Sequence, residues 1–584
     1  MMSRITFFYI VLLLGCVSCS ELDQEPVSTV GREAVFTSEK GLELYAKSFY
    51  QILPTTNEIL RGDNMADYIV RKDVPTFFRA GAFGPKQSTG WSWGQLRNVN
   101  YFLEQNTSNQ IDRETRNHYN GLARFFRALF YFEKVKRFGD VPWINKTLDV
   151  NDAQLYAGRD SRVVVMDSVM GDLDFAYAHI KTKKDASKTL ITKEVVAAFK
   201  SRIALFEGTY RKYHTELNLV SSAESLLHQA VAAAELVVSS GQYRLHTKSE
   251  TPYRDLFIQD QPDSDEFLLV NAYDKELGIL HDANWYYTSA SYGDRISFTR
   301  SFINTFLNQD GSRFTANTTY KTKGFMEEVE QRDGRLAQLI RTKGYQRNVG
   351  GTLTLTPPVF SYTYSGYQPI KWVKDDVYYD SGRNNTNAVP IMRYAEVLLN
   401  YAEALAELNV MSEEQWQETI GKLRARAGIE NSTSKPQMAD PYLQATFYPT
   451  ISDPVVLEVR RERAIELALE GLRFDDLVRW KMGKLYEKGR NGMYVKQLDE
   501  PMDLNSDGVL DVVFYIGKAK DQIPGVTYVN VDPAKGGLRL SETTKGELEW
   551  LWNDPIQWED KFYLYPIPEK DLLINTNLKQ NPGW

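Results

Sequence analysis

Gly121-Leu-Ala-Arg-Phe-Phe-Arg-Ala-Leu-Phe-Tyr-Phe132, followed by Arg137-Phe-Gly-Asp-Val-Pro142, is the stretch that decides the fold. Leu122, Phe125, Phe126, Leu129, Phe130 and Phe132 fall on one broad apolar face at helical spacing, within a helix predicted over Arg113 to Phe138. Lys134, Lys136 and Arg137 in its last turns suit the negative end of the helix dipole. Gly139 then caps it and Pro142 stops continuation. A face this rich in Phe must be covered by neighbouring helices, so the chain reads as mostly α.

Working outward, helices are predicted over Thr192 to Tyr213, Ala223 to Ser239, Tyr394 to Leu408 and Glu413 to Ala427. Another has Asp453 as N-cap and Pro454 at its first position, and is expected to run to Gly471. Alanines cluster at their contact positions: Ala197, Ala198 and Ala204, then Ala230, Ala232, Ala233 and Ala234, then Ala402, Ala404 and Ala406. Small residues allow close antiparallel packing, which suggests tetratricopeptide-like helical hairpins, although no clean repeat of 34 residues is visible. Two regions break the pattern, about 251–389 and 489–551, both rich in Tyr, Asn, Gly, Thr and Ser, with short strand-like runs such as Glu266 to Val270. Long connections on a rigid scaffold carry binding surfaces.

Composition narrows the function. The 584 residues are 42% hydrophobic and 25% charged, with a formal net charge of −7, so the basic surplus that phosphate backbones require is missing and nucleic acid is excluded as a partner. The chain starts with a positive charge at Arg4, an apolar run from Ile5 to Leu14, and then Gly15-Cys-Val-Ser-Cys19, which reads as an export signal over residues 1–18, too short to remain in a bilayer. Its two cysteines, Cys16 and Cys19, both lie there. A redox or metal role for C-V-S-C fails for want of a βαβ context, and no disulfide framework follows. A thiol just after an apolar run and small residues resembles a bacterial lipobox, in which the cysteine is acylated. Cys19 is chosen, with Cys16 as the alternative, and residues 19–30 then form a tether.

At this point the chain resembles the SusD/RagB family of surface nutrient-binding lipoproteins. Besides the opening motif, the resemblance rests on Cys19-Ser-Glu-Leu-Asp with Pro26, Gly90-Trp-Ser-Trp-Gly-Gln-Leu-Arg-Asn-Val-Asn-Tyr-Phe-Leu-Glu104, Arg393-Tyr-Ala-Glu-Val-Leu-Leu-Asn-Tyr-Ala-Glu-Ala404, Glu470-Gly-Leu-Arg-Phe-Asp-Asp-Leu-Val-Arg-Trp480, Tyr563-Leu-Tyr-Pro-Ile-Pro568 and Gln580-Asn-Pro-Gly-Trp584. It implies one domain over 31–584: about four tetratricopeptide-like helix pairs, mainly at 31–245 and 390–488, decorated by the irregular regions. It also implies a protein held on the outer membrane by lipid and facing the exterior. Such a protein captures an oligosaccharide, or in some branches a peptide, and hands it without chemistry to a SusC-like TonB-dependent transporter.

The aromatic stripes that carry the resemblance are at core spacing and do not locate a ligand. No H-E-x-x-H, phosphate-binding loop or G-x-S-x-G is present, and 76 Asp and Glu single out no catalytic pair. A secreted glycoside hydrolase is the alternative class, and a structural partner of the transporter a third. Sugars need exposed rings to stack on and polar side chains for their hydroxyls. Two segments outside helical periodicity offer both. One is Trp91 and Trp93, with Asp63 and Asn64 earlier. The other is Asp282-Ala-Asn284-Trp285-Tyr286-Tyr287, leading to Tyr292, Gly293, Asp294 and Arg295, and is preferred because three consecutive aromatics cannot all enter one core from an irregular loop. No cofactor is required, and a structural calcium loop is weighed against a plain polar Asp/Asn/Gly turn between strands. Asp503, Asn505, Asp507 and Asp511 alternate as oxygen ligands, Val509 supplies a carbonyl and Gly508 the sharp turn, but Phe514 stands where a bidentate Glu belongs. Mass spectrometry of the mature N-terminal peptide is expected to find acyl chains on Cys19. Acylation at Cys16, or a plain cleaved peptide, overturns that choice.

Overall fold

The computed structural model describes residues 35–584 apart from 432 and 521; the export signal, Cys16, Cys19 and the tether lie outside the described residues. Local chemistry sets most helix starts. Side chains of Ser38, Thr55, Asp112, Ser161, Thr192 and Asp453 each accept a backbone N–H of the first turn that would otherwise be orphaned. The helices used below are α1 Glu39–Ala46, α2 Thr56–Gly62, α3 Gly94–Gln105, α4 Arg113–Phe138, α5 Arg162–His179, α6 Lys193–Tyr213, α7 Ala223–Ser239, α8 Ala283–Thr288, α9 Tyr394–Glu407, α10 Pro454–Glu466 and α11 Arg473–Arg479.

The helical expectation holds, and the chain is mostly α with short scattered strands. α4 lies between α3 and α5, α5 against α6, α6 against α7, and α9 joins α7 to α10. All six apolar residues of the opening motif are buried. Gly208 on α6 lets α7 come close, since a Cβ there would sit 3.1 Å from Leu227. The alanines do the same, except Ala232, which faces solvent. Three features differ from expectation. The stretch from Glu413 is interrupted by a π-helical turn, Gln417–Gly421. α10 stops at Glu466, short of Gly471, because Leu469 turns left-handed with φ 64°. α5 was not expected: its Val163-Val-Val165 run is β-branched, and only its neighbours make it helical.

Pairs of arginine and carboxylate tie neighbouring helices. Arg127 of α4 forks onto Asp172 of α5 at 2.7 and 2.8 Å. Arg162 of α5 reaches Glu207 of α6 at 2.8 Å, and Arg202 of α6 reaches Glu396 of α9 at 2.6 Å. The densest set surrounds Glu466 at the end of α10. Its carboxylate takes Arg393 at 2.7 Å and Arg335 at 3.0 Å as well as Arg426, all buried. Arg335 comes from the first irregular region, and Arg393 ends the strand Val389–Arg393 that pairs with Phe267–Asn271. One apolar core runs from Phe36 to Leu578 through scaffold and irregular regions alike.

Burial alone would raise the Glu466 carboxyl, but the guanidiniums of Arg426, Arg393 and Arg335 outweigh it and hold it well below the usual carboxylate range. Its contribution to stability is therefore present above the unfolded-state value near 4.5 and is lost as pH falls through the lower folded value. Glu466→Ala leaves three buried cations without their shared anion and is expected to cost about 3–5 kcal/mol. Urea unfolding at pH 7 checks this; a loss below about 1 kcal/mol would place the lattice outside the stability core.

Candidate ligand-binding site

The preferred segment is a short helix, α8, which places successive side chains about 100° apart. Trp285 is consequently half-exposed while Tyr286 and Tyr287 turn inward. The Tyr292 ring lies flat on Trp285, with centroids 3.6 Å apart and planes 8° from parallel. Tyr292 is 41% exposed, so it is the outer ring of the stack and Trp285 its support. The indole N–H of Trp285 meets no protein acceptor among the described residues.

Asp282 locks the stack in place. It accepts the Tyr292 hydroxyl at 2.6 Å and Arg61 Nη2 at 2.9 Å on the same oxygen. Burial would raise this carboxyl, yet Tyr292 and Arg61 hold it below the ordinary range. The Arg61 guanidinium also sits 4.5 Å over the Tyr286 ring. The Tyr286 oxygen lies 2.9 Å from Asn64 Oδ1 and 3.2 Å from Asp294 Oδ2, and Asp294 is paired with Arg71 at 2.8 Å. Gly293 is required between them, since a Cβ there would strike the Tyr286 carbonyl oxygen at 1.8 Å. Beside this cluster opens a cleft of about 870 Å³ whose wall includes Asn57, Arg61, Asn64, Arg71, Asp73 and Arg79. Asn57 and Arg79 are exposed, and Arg79 has only its own segment's Val74 carbonyl as partner, at 3.2 Å.

Of the expected residues, the structure thus brings together Trp285, Tyr286, Tyr292, Asp294 and Asn64. The others are placed differently. Asn284 is fully buried, bonded to the Lys374 backbone at 2.9 and 2.8 Å, because the start of α8 packs inward. Tyr287 is buried with its hydroxyl on the Leu60 carbonyl at 2.8 Å. Asp63 lies under the cleft, bonded to Tyr68 at 2.5 Å and to the Arg473 amide at 3.3 Å, and burial pushes its carboxyl up to about 6. Arg295 turns away at φ 53° to lie 3.9 Å over Tyr364. Trp91 and Trp93 are half-buried, as Trp285 is, each resting on α4, against Phe138 at 5.0 Å and Phe130 at 5.8 Å respectively.

Sequence reasoning missed Arg61, Arg71 and Trp550. Arg61 stands two residues before Asp63, so it was adjacent to the signal. Trp550 stacks on Tyr364 at 3.8 Å and donates to the Arg71 carbonyl at 2.7 Å; nothing in its alternating strand context marks it.

The expected calcium loop is closed on itself. Asp503 accepts the amides of Asn505, Ser506 and Gly508 at 3.0, 2.6 and 2.8 Å, and Asp507 accepts that of Val509 at 2.8 Å. Asp511 accepts the Leu504 amide at 2.7 Å, and burial together with Asp503 and Asp507 raises its carboxyl. Among the described residues no three His, Cys, Asp or Glu side chains converge as a metal cluster.

A helical scaffold that holds an aromatic stack beside an arginine-lined cleft is the build of a binding protein. The chain belongs to the SusD family: that family's model matches residues 265–584, and a second model, described as starch-binding associating with outer membrane, matches residues 90–205. A relative, SusD-like protein P2 of Formosa agariphila, is 26% identical over 517 residues, covering 82% of this chain and 92% of its own. The fold is similar to that of a SusD-like protein from Bacteroides fragilis, with TM-score 0.68 and 20% identity over 96% of this chain and all of that one. A SusD-like carbohydrate binding protein from the same species gives TM-score 0.67 at 19% identity, over 94% of this chain and all of that one. Surface glycan-binding protein A of Bacteroides fluxus gives 0.55 at 16%, with the same coverage.

Proposed function

We propose that the protein captures an oligosaccharide at the Tyr292–Trp285 stack and passes it, without chemistry, to a TonB-dependent transporter in the outer membrane. The observation that carries this reading is the exposed Tyr292 ring, held flat by Trp285 and Asp282, with the indole N–H of Trp285 free and a cleft beside it whose exposed Asn57 and Arg79 offer donors to sugar hydroxyls. The names of relatives and neighbours support it: one is a carbohydrate binding protein, another a surface glycan-binding protein. The family description supports association with the outer membrane, and acylated Cys19 would supply the anchor. No helix among the described residues is long and apolar enough to cross a membrane. Catalysis is disfavoured at this site because Asp282 and Asp294 are each held by an arginine, and Asp282 is kept ionised, unlike a general acid.

The Asp503–Asp511 loop is read as a weak calcium site. Asp503, Asp507 and Asp511 must each exchange backbone amides for the ion, so weak binding is expected, in the ~10⁻⁴–10⁻³ M range typical of extracellular modules. Calorimetry is expected to give heat with calcium on the wild type and none on Asp507→Ala; a silent wild type at millimolar calcium ends the idea.

Affinity electrophoresis against a polysaccharide panel tests the main reading. Tyr292→Ala and Trp285→Ala, each losing part of the stack, are expected to abolish detectable binding, while Trp91→Ala retains it. Retention by both stack variants while folded, or hydrolysis products from the wild type, overturns it.

A further inference from the structure

Buried charges in proteins are paired, because a lone ion loses its hydration without recompense. Two cations near the end of α4 break that pattern. Lys134 is nine-tenths buried and Arg137 half-buried, and among the described residues neither has a carboxylate within ion-pair distance. The Lys134 ammonium donates to the Gly90 carbonyl and faces the Phe130 and Trp93 rings at 4.8 and 5.4 Å. Arg137 lies 3.9 Å over Tyr565, with its Nε on the Thr89 carbonyl at 3.2 Å, and its two terminal nitrogens meet no protein acceptor. Gly90 permits this approach: its φ is 93°, and a Cβ there would press on Arg137 Nε at 3.2 Å.

Both cations line a hollow of about 580 Å³ that is separate from the cleft but shares Thr55 and Glu58 with it, across the first turn of α2. The carboxylates in its wall are already engaged. Asp475 and Glu133 hold Lys136 at 2.6 and 3.0 Å, Glu396 holds Arg202, Glu470 holds Arg393 and Lys371, and Glu58 caps α2 through Thr55. Two cations with spare donors face a cavity in which four of the five wall carboxylates are held by other cations, and only Glu58, at the rim shared with the cleft, has no cation among the described residues; the pair is built to receive an oxyanion.

We propose that Lys134 and Arg137 form an oxyanion site that receives a carboxylate or sulfate group. Taken with the glycan reading, which it deepens, the site selects acidic over neutral saccharides: a chain lying on the Tyr292 stack would reach it past Thr55 and Glu58. Burial, followed by the neighbouring charge of Arg137, holds the Lys134 ammonium down to about 8, as befits a cation waiting for its anion. Burial lowers Arg137 as well. The other charge that acts on Lys134 is Asp571, in the C-terminal turn Glu569–Ile574, which forms no hydrogen bond to it.

Calorimetry at low ionic strength, with sodium sulfate, sodium glucuronate and glucose in separate titrations, tests the site without any assumption about the polysaccharide. Sulfate or glucuronate is expected to bind the wild type at millimolar concentration and glucose to give no heat; the stronger of the two ions identifies the group. Lys134→Met and Arg137→Gln should each weaken that binding by roughly tenfold or more, and Asp571→Asn should tighten it. Because only the ammonium form binds, wild-type affinity should hold below about pH 8 and fall above it as Lys134 loses its proton. That profile needs no variant to fold, and a purely structural lysine would not produce it. Silence with both ions, equal binding in both cation variants, or a flat pH profile overturns the site. None of these results bears on polysaccharide binding at Tyr292, which the stack variants report separately.

Discussion

Glu466 is the constraint on which the rest of the molecule depends. One carboxylate at the end of α10 gathers Arg335, Arg393 and Arg426, which stand up to 131 residues away from it in sequence. Each charge loses its hydration on burial, and the lattice is favourable only because nearly every donor finds an oxygen: Arg335 also takes Asp333 at 2.7 Å and Glu462 at 2.8 Å, and Arg393 also takes Glu266 and Glu470. An irregular region of more than a hundred residues, weak in regular structure of its own, is thereby fastened to the helices at a defined angle.

The site inherits its position from that fastening. α2 meets the scaffold at Gly62, where a Cβ would lie 2.5 Å from the Gly471 Cα, and Arg473 clamps Asp67 at 2.7 and 3.0 Å while its amide donates to Asp63. Arg61, Asn64 and Arg71 are thus carried by the scaffold, whereas Asp282, Tyr292 and Asp294 are carried by the irregular region. The two pairs Arg61–Asp282 and Arg71–Asp294 join across the boundary and fix the Tyr292 ring before any ligand arrives. Preorganisation of this kind reduces the ordering entropy that binding must overcome. The cleft and the hollow behind α2 are two faces of one short helix, so a single extended ligand could meet an apolar ring, neutral donors and fixed cations in turn.

The helical scaffold was legible because its physics is local or periodic. The α4 face, the caps at Asp112, Thr192 and Asp453, the stop at Gly139 and the small contact residues of α6, α7 and α9 can all be read from spacing and side-chain type. The loop with Trp285 was legible by composition, since aromatic and polar residues outside a helical period have few other uses. Three features were not. α5 is helical against its own valines, because burial between α4 and α6 outweighs propensity. Among Trp285, Tyr286 and Tyr287, only the packing of α8 decides which ring stays at the surface. The partners Arg61, Arg71 and Trp550 lie far apart in the chain, and pairing at long range leaves no local trace.

By itself, then, the sequence determined the class of fold, the family and the neighbourhood of the site, because hydrophobic period, capping and turn chemistry act between residues a few positions apart. Tertiary structure alone decided that Tyr292 is the outer ring and Trp285 its support, that Asp63, Asn284 and Tyr287 are internal, and that Lys134 and Arg137 lack the anion their neighbours have. Exposure and charge balance are sums over every group within a few ångströms, and those groups come from elements hundreds of residues apart.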